Sequence, residues 1–336
     1  MMNARRLAAL LEVLGVYITG QYLVTLFVNT LHLQTDNPLA HINAQITNVE
    51  LLFATRDLFF LLLMQYAGWF LLIIPINWWH RRSGPAAYGL TRAGKPWKML
   101  LAAGVATAAL SAWPEMSVQL LDRVYDLGPT VPWRQALFDM SWRRWEFWLF
   151  MAVLSWAFVA FMEELFFRGY CQRRLAEDWG DGPAILGTAC LFLFAHSQYL
   201  IANAYNVSLL ISLFLLAVGV GVVFAWTRSL IPSFVAHAMI NFPMTPRWQL
   251  VALAAFVFGA VVLARPAAAV VKQVFSGASV LWCAALGAVG AGYAIASQRA
   301  GGMVYVAAAM VGLAVGLEAM ERGRERSAES ASISLP

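Results

Sequence analysis

The chain has 336 residues, of which 61% are hydrophobic and only 12% are charged. Soluble domains carry roughly 25% charged residues, so this composition excludes an ordinary soluble protein and indicates a protein of the lipid bilayer. The formal net charge of +5 does not indicate nucleic acid as a partner. The Lys and Arg residues lie mostly between apolar segments, where they orient a membrane protein against anionic lipid.

Apolar segments recur along the chain, and a segment of about 18 or more residues is long enough to cross a bilayer as a helix. We therefore predict an all-α fold, a polytopic transmembrane helix bundle of about 8–10 spans with no soluble domain. The third, seventh and eighth segments are short, and whether the last two fully span is left open. In chain order the candidate spans are 7–28, 51–76, 99–113, 147–167, 183–200, 207–226, 231–243, 250–264, 280–296 and 303–320.

The basic residues of the loops predict the orientation of these spans. Arg5 and Arg6 precede the first span, and the basic loop 80–98 follows the second. With ten spans, most loops rich in Lys and Arg fall on the same side as the basic C-terminal segment. By the positive-inside rule both termini are then cytoplasmic, and we expect a multi-pass protein of a bacterial inner (plasma) membrane. The loop 115–146 is an exception, with several arginines on the outer side.

Four regions follow from this pattern. Residues 1–146 form the N-terminal transmembrane helices, 147–244 a helical core with the polar motifs, 245–320 the C-terminal helices, and 321–336 a polar, Ser-rich tail that we expect to be disordered. Gly312 and Gly316 lie four residues apart in the last span. Small residues at this spacing allow close helix packing, which permits a homodimer.

A few polar residues interrupt the apolar segments of the 147–244 core, and polar groups at membrane depth usually mark a function. Glu164 and Arg168 are four residues apart, as are His237 and Asn241, so each pair lies on one face of its helix. Glu163 is rotated about 100° from Glu164, so the two carboxylates should have different neighbours. The candidate site residues are Glu163, Glu164, Arg168, His196, His237 and Asn241.

This combination suits hydrolysis of an amide by water in a dry pocket. A carboxylate assisted by an imidazole can take a proton from water, and a histidine and an asparagine can donate hydrogen bonds to the oxyanion that forms. Each residue also has a structural interpretation when taken alone. Glu164 and Arg168 can be a structural ion pair, and His196, His237 or Asn241 can hydrogen-bond between helices.

Three motifs in this order resemble those of a known family. Glu163-Glu164-x-x-x-Arg168, Phe192-x-x-x-His196 and His237-x-x-x-Asn241 are similar to the motifs of the CPBP family. These are the CAAX prenyl endopeptidase and bacteriocin-processing (Abi) intramembrane proteases. The resemblance covers about residues 147–244, and the short segment Tyr88-Gly-Leu-Thr91 also recurs in the family.

The resemblance implies a role for each matching residue. Glu163 matches the general base, His196 the histidine that positions or activates the water, and His237 with Asn241 the pair that stabilises the oxyanion. Glu164 and Arg168 match a supporting pair, and Phe192 opens the second motif.

Metal use is open: no cofactor is favoured, but zinc is possible. Glu163, His196 and His237 would then be the ligands of a site with an open water position, and Glu164 would serve as the base.

We therefore predict an intramembrane endopeptidase, either a glutamate protease or a metalloprotease. Its partners are the bilayer and a membrane-anchored peptide or protein substrate. The substrate itself stays open among prenylated C-termini, leader peptides and C-terminal sorting anchors. Two alternatives are a catalytically idle membrane adaptor or immunity protein, and a proton-coupled transporter with Glu163, His196 and His237 as its relay.

Overall fold

The computed structural model describes residues 4–30, 46–80, 82, 84–91, 144–196 and 204–241, and five further positions between 254 and 272. The described residues are helical almost throughout and contain no strand, which confirms the predicted all-α class. Several predictions lie outside the described residues: the third, ninth and tenth candidate spans, the polar tail, and the Gly312–Gly316 dimer contact. The candidate span 250–264 is described at three positions only.

The helices follow the predicted apolar segments closely, and most of their ends lie within about three residues of the predicted ones, as is usual for helix ends. In chain order they are α1 (Ala4–Thr30), α2 (Asn48–Trp79), a 3-10 helix (Pro85–Tyr88), α3 (Trp145–Met151), a π-helical segment (Ala152–Ala157), α4 (Val159–Glu164), a second π-helical segment (Leu165–Gln172), α5 (Arg173–Trp179), α6 (Asp181–Ala195), α7 (Ala204–Thr227) and α8 (Leu230–Asn241).

The fourth predicted span differs most from the structure. The prediction ended at Phe167, where polar residues begin, but the helical backbone continues through the second π-helical segment and α5 to Trp179. The polar side chains that follow Phe167 do not end the helix because they find partners inside the bundle. Gln172, for example, donates a hydrogen bond of 2.8 Å from Nε2 to the carbonyl oxygen of Gly221.

By length and composition, α2 is the one helix among the described residues that could cross a membrane. Its N-terminus is closed by a capping box, in which Thr47 and Glu50 bond to each other's backbone N–H. Large apolar side chains remain exposed along its length, as expected for a helix in contact with lipid: Phe53, Phe60, Leu63, Leu71, Ile74, Trp78 and Trp79. Other apolar stretches with described side chains are shorter.

The first two helices pack against the second π-helical segment and α5 in one hydrophobic core. Small residues bring α1 and α2 together, since a Cβ added to Gly68 would lie 2.9 Å from the carbonyl oxygen of Gly20. Aromatic rings then join α2 to the second π-helical segment. The rings of Trp69 and Phe166 are both fully buried and stack with centroids 4.0 Å apart and planes 8° apart. Such pairs contribute about 0.5–1.5 kcal/mol beyond the burial of their area.

Basic side chains gather at one end of this bundle, where helix ends from distant parts of the chain meet. Arg6 near the start of α1 donates to the carbonyl oxygen of Asp178 at the end of α5. Arg82, just after α2, pairs with Glu177, and Arg228 between α7 and α8 makes a bidentate pair with Asp181 at the start of α6. The tertiary structure thus brings together the basic residues that the loop pattern placed on one side.

Glu12 forms the centre of a polar cluster near the same end. Its carboxylate accepts hydrogen bonds from the Tyr170 hydroxyl at 3.1 Å and from Arg174 Nε at 3.0 Å, and it lies 3.0 Å from His80 Nε2. Burial lowers the pKa of the Arg174 guanidinium, but hydrogen bonds to Asp178 and Glu12 more than offset this effect and raise the pKa overall. The cluster ties α1 and the end of α2 to α5, which is a structural role.

Candidate active site

Two adjacent carboxylates, Glu163 and Glu164, lie at the end of helix α4 and are buried in the bundle. Glu163 is 8% exposed and Glu164 is fully buried, although both would be solvated on the surface of a soluble helix. Burial of a charged group is costly unless it is paired and hydrogen-bonded. The partners of each carboxylate therefore indicate what each can do.

Glu164 is held by an ion pair within its own helical run. Its Oε1 accepts a hydrogen bond of 2.9 Å from Arg168 Nη1, and neither side chain is exposed. The same guanidinium donates from Nη2 to the carbonyl oxygen of Ala217 on α7 at 2.9 Å, and it lies over the ring of Phe192 at 5.1 Å. The predicted pairing of Glu164 with Arg168 is confirmed, and it also ties the second π-helical segment to α6 and α7.

His237 connects α8 to this pair. Its Nδ1 lies 2.8 Å from Oε1 of Glu164, and its side chain is 4% exposed. A carboxylate that already faces a guanidinium is an acceptor, so Nδ1 must carry the proton and donate it. The Glu164 contact therefore fixes the orientation of the ring and leaves Nε2 as the nitrogen that faces Glu163.

Glu163 lies on the other side of the same imidazole. Its Oε1 accepts a hydrogen bond of 3.2 Å from the Tyr66 hydroxyl on α2. Its Oε2 is buried without a hydrogen-bond partner among the described residues, 3.8 Å from Nε2 of His237. That separation is too long for a direct hydrogen bond, but a water beside the pair can reach both atoms. The two carboxylates have different hydrogen-bond partners, as predicted, yet both flank His237.

Phe192 lies at the centre of the motif residues and is 1% exposed. Its ring centroid lies 4.6 Å from that of His196 and 5.9 Å from that of His237. His196 ends α6, with its Nδ1 2.8 Å from the carbonyl oxygen of Phe192. A carbonyl oxygen only accepts, so Nδ1 donates and the neutral ring keeps an acceptor at Nε2. The aromatic ring thus brings the second motif against the first and third.

Asn241 is not part of the buried cluster. It lies one turn after His237, at the end of α8, and is exposed, whereas His237 is buried. Its oxyanion role therefore stays a prediction.

The described part of the chain contains no assembled set of metal ligands. No three His, Cys, Asp or Glu side chains there come close enough together to hold a metal ion. The predicted ligands Glu163, His196 and His237 thus do not form a three-ligand site in this arrangement.

Sequence reasoning missed Tyr66. It lies inside the long apolar segment of α2, 97 residues before Glu163, and no spacing rule joins positions so far apart. The one available signal was a phenol among aliphatic side chains, since a buried Tyr hydroxyl usually has a hydrogen-bond partner. That signal does not say which partner.

The buried carboxylates and the imidazoles of this site lie in a part of the chain that matches a known protein family. Residues 145–243 match the family model described as type II CAAX prenyl endopeptidase Rce1-like. This match is consistent with the CPBP family and confirms the predicted resemblance. The Rce1-like family is a family of membrane proteins and CAAX-type endopeptidases. No curated protein and no solved structure matches the chain.

Proposed function

We propose that this protein is an intramembrane endopeptidase that hydrolyses a peptide bond of a membrane-associated peptide or protein by glutamate-activated water. One observation carries the proposal. Glu163 Oε2 is buried without a hydrogen-bond partner among the described residues, 3.8 Å from the His237 ring that Glu164 orients. A base beside an oriented imidazole is the arrangement that general base catalysis requires. The match of residues 145–243 to a CAAX endopeptidase family supports the same reaction.

The proposed reaction starts with a water between Glu163 and His237. Glu163 Oε2 takes a proton as the water oxygen bonds to the peptide carbonyl carbon, and the π electron pair of the carbonyl moves onto its oxygen. His237, when it carries a second proton at Nε2, and Asn241, if it approaches in the substrate complex, donate hydrogen bonds to that oxyanion. The carbon–nitrogen bond then breaks, the oxyanion pair reforms the carbonyl, and the proton passes from Glu163 to the amine nitrogen. His196 helps to position the water through its acceptor nitrogen.

The orientation proposed for the protein follows from the basic end of the bundle. Arg6, Arg82 and Arg228 meet there, so we place this end and both termini in the cytoplasm. At about 1.5 Å per helical residue, Glu163 lies about 15 Å from Arg173 and about 27 Å from Trp145 along its helix. The site is therefore nearer to the cytoplasmic face, in a multi-pass protein that we assign to a bacterial plasma membrane.

The test compares protein termini in membranes of the native host that carry either the wild-type chain or Glu163→Ala. We expect termini that appear only with the wild type, which would also name the substrate. Glu163→Ala, His196→Ala and His237→Ala should each lower cleavage by roughly a hundredfold to ten-thousandfold while the proteins still accumulate in the membrane. Asp57→Ala is the matched control, because Asp57 is an exposed acid of α2 that pairs with its neighbour Arg56.

Two results would contradict the proposal. Identical termini with well-expressed proteins would favour the idle adaptor. Loss of proton-coupled flux in Glu163→Gln, without any change in termini, would favour the transporter.

A further inference from the structure

Tyr66 is the one residue outside the matched 145–243 segment that bonds to a candidate site carboxylate in the described part of the chain. It lies on α2, and its side chain is fully buried. The ring contacts Trp69 and Phe158, each with centroids 5.7 Å apart. A fully buried ring in contact with two other rings has little freedom, so the position of its hydroxyl is set by the core.

This fixed hydroxyl constrains Glu163. A free glutamate side chain loses rotamer entropy when it is held in one conformation. The hydrogen bond from Tyr66 to Oε1 helps to hold it, and the other oxygen is then directed toward Nε2 of His237 at 3.8 Å. Helix α2 thus restrains the base from one side, while α8 places the imidazole on the other.

We propose that Tyr66 is a positioning residue for Glu163, and that α2 is therefore a part of the active site. The inference rests on the proposed function for its catalytic consequence, but the contact itself can be tested without activity. Tyr66 touches neither the water nor the scissile bond. It acts by keeping Oε2 of Glu163 in line with the water, and a misplacement of about 1 Å costs on the order of a hundredfold in rate.

The chain offers a matched control in Tyr170. Its hydroxyl donates to Oε1 of Glu12 at 3.1 Å, and the residue is 3% exposed. Tyr66→Phe and Tyr170→Phe each delete one buried hydroxyl that is bonded to a carboxylate and leave the ring in place. The Tyr66 hydroxyl bonds to Glu163, whereas the Tyr170 hydroxyl bonds to Glu12.

The kinetic test uses the purified full chain and a farnesylated, fluorogenic CAAX-type peptide as the probe. Tyr66→Phe should lower kcat by about tenfold to a hundredfold and change KM by less than about twofold, because substrate binding does not involve the hydroxyl. Tyr170→Phe should keep both constants within about twofold of the wild type. A wild-type kcat in Tyr66→Phe, or an equal loss in Tyr170→Phe, would overturn the proposal.

The second test is a thermal double-mutant cycle, which needs no substrate. Tyr66→Phe should lower Tm in the wild-type background and have no such effect in Glu163→Met, where the acceptor is gone. Tyr170→Phe should lower Tm equally in both backgrounds. If Tyr66→Phe lowered Tm equally in both backgrounds, the Tyr66 hydroxyl would not be bonded to Glu163, and the proposal would be wrong. If the wild-type chain cleaved neither the peptide nor any membrane protein, that result would instead refute the proposed function.

Discussion

The substitution Arg168→Ala tests the structural core of the site. Arg168 is fully buried and serves three groups at once: the Glu164 carboxylate at 2.9 Å, the Ala217 carbonyl at 2.9 Å, and the face of the Phe192 ring at 5.1 Å. Alanine removes the guanidinium and leaves Glu164 buried without its cation. We expect the protein to lose both stability and activity.

The magnitude follows from the burial of the pair. Removing one partner of a buried ion pair destabilises a protein by about 3–5 kcal/mol, because the remaining charge is left uncompensated. In domains of 150–250 residues, 1 kcal/mol corresponds to about 2–4 °C in Tm. This chain is longer, with 336 residues, so we use about 2 °C per kcal/mol. The expected fall in Tm is then roughly 6–10 °C.

The assay is thermal unfolding of the purified protein, followed by tryptophan fluorescence. A control variant combines Arg168→Met with Glu164→Met, which removes both charges and keeps most of the volume. It should recover part of the lost stability, since no buried charge is left unpaired. The recovery should be incomplete, because His237 loses its partner at Nδ1. A Tm of Arg168→Ala within about 2 °C of the wild type would refute the reasoning about the pair.

Two further predictions use thermal unfolding with internal controls. Gly169→Ala should lower Tm, because its Cβ would lie 2.7 Å from the carbonyl oxygen of Tyr88 and overpacking costs about 1–3 kcal/mol. Gly15→Ala should raise Tm, because nothing lies within 4 Å of the added Cβ. A change of Tm with the same sign in both variants would contradict the steric argument. Asp181→Asn should cost only about 1 kcal/mol, because its partner Arg228 is 65% exposed. A loss as large as that of Arg168→Ala would show that burial does not decide the strength of these pairs.

Local spacing predicted those parts of the site that lie within one helix. Glu164 and Arg168 are one helical turn apart, and a turn brings such residues onto one face whatever the rest of the fold does. The apolar segments likewise predicted the helices, because 18 or so apolar residues in a row favour a buried or lipid-facing helix. These inferences need only the geometry of a single helix.

Spacing was a weaker guide to burial along a helix. His237 and Asn241 share a face of α8 by their spacing, yet His237 is buried and Asn241 is exposed at the end of the helix. The difference depends on how α8 packs against its neighbours. The oxyanion role of Asn241 therefore stays a prediction.

The sequence by itself determined that the chain is helical and apolar, and that its polar motifs share the spacing of an endopeptidase family. The tertiary structure alone decided which atoms meet. Glu164 reaches His237 across 73 residues, and Glu163 reaches Tyr66 across 97. Those contacts depend on how the helices rotate and pack against one another, which is set by the fit of side chains such as Trp69 and Phe166 in the shared core. The order of apolar and polar residues predicts which residues share a face of one helix. It does not predict how that helix is rotated relative to its neighbours.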